Sequence, residues 1–271
     1  MKKLLMASIT ALSLMTLAAC GDKEEVKEQE EIKAIDYTEA VSAYKSEIMP
    51  LSTSFVEDVT LLQTYIDAND LEAATKLYPI VHMYVEHLRP ASKQFEDYYQ
   101  LIDAPITAGK ELEQGGLHAI EYALVIKQDP TLVTAAAADL VANVTAFTTE
   151  LAKTTLNGED LLAQTDAVLT TILADTLTGK EQNVSNAQAY DIAASLQGIQ
   201  AVKNAFASLA TEEATKALNE DFDKASEVVA FYEVGKEDYV NFSYFTNTQK
   251  QELIDAFSAL QKTYKAFVKS M

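Results

Sequence analysis

From Tyr37 to Met271 the chain reads as one helical segment after another, separated by short breakers, and this constrains the fold more than any other feature. The 271 residues contain only 8 Gly and 5 Pro, too few for the many tight turns of a β-sandwich or barrel. Thr38 and Glu39 read as an N-cap and first turn, opening an amphipathic run to about Ile66 with a kink expected at Pro50. Asp70 caps a second segment, from Leu71 to about Ile102; Pro79 and Pro90 lie inside it, and at least one should interrupt it. A third segment is expected near Glu111–Val125 and a fourth near Thr131–Lys153. Asn157-Gly158 is a stop, and further helices follow over 159–177, 185–209, 211–232 and from Thr246 to the end, the last two joined by an aromatic-rich link. The expectation is an all-α fold of two packed four-helix bundle units, with halves at about 37–156 and 157–271.

A single cysteine, Cys20, sets the compartment. Lys2 and Lys3 precede an apolar stretch (LLMASITALSLMT), and Leu17-Ala18-Ala19-Cys20 forms a small-residue cleavage site. Thirteen apolar-rich residues are short of the roughly 20 that span a bilayer. The pattern is that of a bacterial lipoprotein signal over 1–19, with Cys20 acylated (a palmitate-type lipid anchor) as the new N-terminus. The mature protein is then lipid-anchored at the extracytoplasmic face of the cell membrane. Residues 20–36 are mostly charged and form a solvated tether. With its cysteine lipidated, the domain at 37–271 has no disulfide and needs a hydrophobic core. The net charge of −20 becomes −22 when Lys2 and Lys3 leave with the signal. Such a chain is repelled by nucleic acid, which is excluded as a partner, and suits cations or basic partners.

Three histidines exist: His82, His87 and His118. His118 and Glu121, at i and i+3, share a helix face and can grip one metal ion; Gly115 and Gly116 before them suit a close backbone approach. By spacing alone a plain hydrogen bond between them is the commoner case, and the His-x-x-Glu pattern often arises by chance. The helical zinc-peptidase pattern His-Glu-x-x-His is absent. In His82-Met83-Tyr84-Val85-Glu86-His87-Leu88-Arg89, His82 and Glu86 stand one turn apart and Glu86 and Arg89 are i, i+3; by spacing this is a solvent face with an internal ion pair. Aromatic residues such as Tyr232, Phe242, Tyr244 and Phe245 read mainly as core, with a groove for a polymer or protein partner as the alternative.

These stretches resemble the imelysin-like proteins, and within them the EfeO/EfeM-type lipoproteins of bacterial iron uptake. DLEAATKLYPIVHMYVEHLRP (70–90) is similar to the family helix ending in a Tyr-Glu-Arg-Ile-Glu-Pro-like motif, which puts Glu86 on its first glutamate. Gly116-Leu117-His118-Ala119-Ile120-Glu121 resembles Gly-Phe-His-Arg-Ile-Glu, and Leu177-Thr178-Gly179-Lys180-Glu181 an Ile-Ser-Gly-Glu-Glu loop. Val240–Thr246 is similar to the link before the family's last helix. The resemblance implies an imelysin-like helical domain and a metal site of His118, Glu121, Glu86 and Glu181. Its cargo would be iron, with zinc or manganese as other ions suited to such donors, and its partner the iron permease of an EfeUOB-type uptake system. It also implies the short form, without a cupredoxin-like domain. Arg89 stands where the family has a second glutamate and would supply positive charge next to the site; Asn186 and Gln197 replace a family His and Asp. The wider family has been classed as metallopeptidases; with no second histidine at peptidase spacing, an enzymatic role is disfavoured.

Overall fold

A computed structural model describes residues 35–180 and 183–271. The signal, Cys20 and most of the expected tether lie outside the described residues. Residues 35–271 form one unit, all-α apart from a two-stranded hairpin. The helices are α1 (Thr38–Asp67), α2 (Leu71–Leu88), α3 (Glu96–Ile102), α4 (Gly116–Glu121), α5 (Thr134–Lys153), α6 (Gly158–Thr171), α7 (Gln188–Phe206), α8 (Glu212–Ala230) and α9 (Asn247–Lys269).

Local chemistry sets most ends. The Asp70 carboxylate accepts from the Ala73 amide at 3.1 Å, and Asn157 accepts from Asp160 at 3.1 Å. Thr246 and Gln249 form a reciprocal capping box at the start of α9. At α1 the expected cap moves: Thr38 is the first helical residue, and Asp36 accepts its amide at 2.9 Å. Pro50 and Pro79 are carried inside α1 and α2, whereas Pro90, which cannot donate to the helical ladder, turns the chain into a tight 3-10 segment over Arg89–Phe95. The expected third helix starts late, at Gly116, because Gly115 and Gly116 both take positive φ (72° and 70°). A side chain at Gly116 would also put its Cβ 2.9 Å from the Ile102 carbonyl oxygen, so the α3 end and the α4 start meet backbone to backbone. The link before α9 is a hairpin of β1 (Glu233–Gly235) and β2 (Asp238–Tyr239) rather than fully irregular.

Helices α1, α2, α5 and α7 pack together; α8 and α9 pair as a hairpin, and α6 lies between α9 and the 3-10 turn. On α5 the buried stripe Ala137, Leu140, Val144, Phe147 and Leu151 recurs at helical spacing. Segment Pro130–Lys153 is apolar and long enough to span a bilayer; here that stripe serves packing against α1. The core includes fully buried Tyr44, Phe55, Phe206, Phe257 and Phe267, each contributing about 2–3 kcal/mol of burial free energy. Tyr232, Phe242 and Phe245 are core, as expected, whereas Tyr244 is 77% exposed. Helix α7 approaches α2 so closely that a Cβ at Gly198 would lie 2.4 Å from the His87 carbonyl oxygen. That contact brings the polar residues of α2 and α7 together.

Candidate metal centre

Polar side chains from four elements meet where α2, α4 and α7 converge on the end of α3. His82 comes from the middle of α2, Asp103 from the residue that ends α3, His118 and Glu121 from α4, and Asp191 from the first turn of α7. All five are buried. The reading of His82 and Glu86 as a solvent face is thereby corrected: they are 3% and 6% exposed, because α7 covers that side of α2.

The two imidazoles are held alike. His82 Nδ1 lies 2.6 Å from Asp191 Oδ1, and its Nε2 lies 3.1 Å from Asp103 Oδ1. His118 Nδ1 lies 3.5 Å from Glu121 Oε2, and its Nε2 lies 3.5 Å from the same Asp103 Oδ1. One nitrogen of each ring therefore faces a carboxylate behind it, and the other points at a shared oxygen. The backing groups are themselves fixed: the Ser185 amide donates to Glu121 Oε1 at 2.9 Å, and Asn183 Nδ2 donates to Asp191 Oδ2 at 2.9 Å. His118 Nδ1 and Glu121 Oε2 are buried with no hydrogen-bond partner, their 3.5 Å separation lacking the alignment of a bond.

Arg89 and Glu86 form the wall of the site. Arg89 Nε donates to both Glu86 oxygens at 3.0 and 2.9 Å, and Nη2 donates to Glu86 Oε1 and, at 2.5 Å, to Asp103 Oδ2. Ser195 of α7 donates to Glu86 Oε2 at 3.0 Å. Asp103 thus offers one oxygen to the histidines and the other to Arg89.

Burial opposes charge at His82, His118, Asp103 and Glu121, and there the partners decide the outcome; at Asp191 burial outweighs the pull of His82 and raises the pKa. Burial would lower the His82 pKa, but Asp191 and Asp103 outweigh it and hold the imidazole well above its ordinary range. His118 follows the same balance: burial pulls it down, Glu121 and Asp103 lift it, and His82 opposes them, leaving it raised. Asp103, which burial would raise, is held below the usual carboxylate range by Arg89 and His82. Glu121 is lowered against its burial by His118 and Ser185.

His82, Asp103 and His118 each present one atom within 4.8 Å of the others, a geometry that can hold a metal ion. Two ligands about 2.1 Å from one ion lie roughly 3–3.4 Å apart, close to the 3.1 and 3.5 Å observed. Two imidazoles and one carboxylate with open positions suit iron among the divalent ions, and also zinc and manganese. An imidazole nitrogen donating to a carboxylate behind it is the usual outer support of a metal-bound histidine. Of the residues expected at the site, His118 and Glu121 lie together, Glu86 is engaged by Arg89, and Glu181 lies outside the described residues. Sequence reasoning passed over Asp103 and Asp191. Asp103 lies just past the expected end of the second helical segment, and Asp191 carries no local signal. The departure at Asn186 falls beside the cluster: its carbonyl accepts from the Phe242 amide, and its φ is 58°.

No family model matches the chain. It is 28% identical over 239 residues to an EfeM/EfeO family lipoprotein of Staphylococcus aureus strain USA300, a match covering 82% of this chain and 81% of that protein. The proteins of the same description from strains NCTC 8325 / PS 47 and MRSA252 are 28% and 27% identical, with the same shares covered. The order of the motifs, the all-α fold and these relatives together support the chain as an EfeO/EfeM-type lipoprotein.

Proposed function

We propose that this protein is a membrane-tethered, extracytoplasmic lipoprotein that binds iron at His82, His118 and Asp103 and passes it to the permease of an iron uptake system. One observation carries the reading: two imidazole Nε2 atoms and Asp103 Oδ1 converge, while each ring's Nδ1 faces its own buried carboxylate. In this assignment Glu121 and Asp191 orient the rings, and Arg89 orients Asp103 while cancelling charge from Glu86. Three protein ligands leave faces of the ion open, as a carrier that must release its cargo requires. The acidic surface of the mature chain favours cation capture. Lipidation of Cys20 would supply the anchor, in keeping with the lipoprotein relatives.

Elemental analysis of gently purified protein, with isothermal titration of iron(II), zinc and manganese, tests the reading. Stoichiometric metal that is lost in His82→Ala, Asp103→Asn and His118→Ala supports it. Metal-free protein that takes up none of the three ions, or binding that survives all three substitutions, refutes it. A hydrolytic reading is less well supported: of the acidic side chains lining the cleft, Glu86, Asp103 and Asp175, the two beside the histidines' wall, Glu86 and Asp103, are engaged by Arg89 and are not free to act as general base.

A further inference from the structure

The open side of the cluster is a cleft of about 460 Å³, lined by Asp103 and His118 on one wall and by α6 on the other. An ion held at about 2 Å by three protein atoms fills only a corner of such a space. Clefts of roughly 300–1,000 Å³ hold whole small molecules. The far wall is mixed: Gln164 and Thr171 of α6, with Lys180 beyond, face the same volume as Val168 and the Asp175 carboxylate. The Lys180 backbone is held by its amide, which donates to the Asp175 carbonyl at 3.0 Å, and its side chain is exposed. On the near wall the Arg89 side chain is 24% exposed. Its Nε and Nη2 are used on Glu86 and Asp103, and among the described residues Nη1 makes no hydrogen bond. A guanidinium carries five donors, so the edge bearing Nη1 can still grip an oxygen anion.

Resting on the metal reading above, we propose that the cleft takes the ion together with a small anionic oxygen chelator of the hydroxycarboxylate class. The chelator's oxygens would fill the coordination positions that His82, His118 and Asp103 leave open. Its outer carboxylate would accept from Arg89 Nη1 and Lys180 Nζ, with Gln164 and Thr171 donating from α6. Charge favours entry as a complex over entry as a free anion. The strongly acidic chain repels a bare polycarboxylate, whereas an iron(III) chelate arrives with most of that charge cancelled.

Equilibrium dialysis with radiolabelled citrate separates the outcomes, using iron(III) with citrate, citrate alone, and iron(II) or zinc without chelator. The proposal expects citrate retained one-to-one with iron(III) and not without it. In Lys180→Glu combined with Gln164→Ala, citrate retention should weaken by about tenfold, the worth of one charge-assisted hydrogen bond, with binding of the bare divalent ions unchanged. Iron(III) retained without its citrate in the iron(III)-citrate arm, or citrate retention equal in the variant, overturns the chelate proposal and leaves the metal centre standing. Silence in the ion-only arm overturns both.

Discussion

His82 Nδ1 lies 2.6 Å from Asp191 Oδ1, although 109 residues separate them. This bond ties α2 to α7 through two buried side chains and fixes the ring so that its Nε2 faces Asp103. Asp191 is therefore a positioning residue. Asp191→Asn should leave the helical fold intact and lower metal affinity by about 10–100-fold, read by isothermal titration. Rescue by Asp191→Glu would distinguish orientation from simple packing. Unchanged affinity in the asparagine variant would sink this role.

Metal should stabilise the protein by mass action. At 100 times the dissociation constant the gain is about 2.7 kcal/mol, visible as a raised Tm that a chelating agent reverses. His118→Ala should melt at the same temperature with and without metal. A metal-dependent rise that persists in His118→Ala would place the ion elsewhere.

Arg89 is the only guanidinium in the chain, and it neutralises two buried carboxylates, Glu86 and Asp103. Arg89→Met leaves both without their cation, and breaking a buried pair by removing one partner costs about 3–5 kcal/mol. The lower end is expected here, since the Arg89 side chain is 24% exposed. Urea denaturation of the metal-free variant measures it, and Arg89→Met with Glu86→Gln should recover part of the loss. No recovery would mean that the guanidinium acts through packing rather than charge.

His87, one residue past Glu86, behaves oppositely to His82. It is partly buried with no carboxylate partner among the described residues, and burial pushes its pKa down to about 4, against a weaker lift from Gln197. The unfolded chain, with an ordinary pKa near 6.5, then binds more protons between these values. The contribution of neutral His87 is thus complete above about pH 6.5 and is lost as pH falls towards 4, by at most about 3 kcal/mol. The His82 contribution has the other sign: its raised pKa stabilises at low pH and fades as pH rises through the folded value. Residue-resolved NMR titration should show the His87 ring neutral at pH 5.5; a midpoint near 6.5 would contradict this account.

Gly198→Ala tests the α2–α7 contact. Its Cβ would meet the His87 carbonyl oxygen at 2.4 Å, so the helices must part, at a cost of about 1–3 kcal/mol. Because His82 and Asp191 sit on the same pair of helices, metal affinity should fall together with Tm. A drop in stability alone would uncouple the packing from the site.

Helix content, most caps and the His118–Glu121 pair were legible in the sequence. Each depends on neighbours a few residues apart: apolar spacing, an Asp or Thr before an amphipathic run, and an i, i+3 step that places two side chains on one face. The signal pattern around Cys20 was legible for the same reason. Tertiary structure alone decided that His82 is a buried partner rather than part of a solvent face. It also decided that Asp103 is the shared acceptor and that Asp191 stands behind His82. Those groups come from helices joined through the core, 21 and 109 residues from His82, and no period or local propensity links such positions. Their meeting follows from the close approach of α7 to α2 at Gly198 and of the α3 end to the α4 start at Gly116. Those packing contacts are made only when the whole chain has folded.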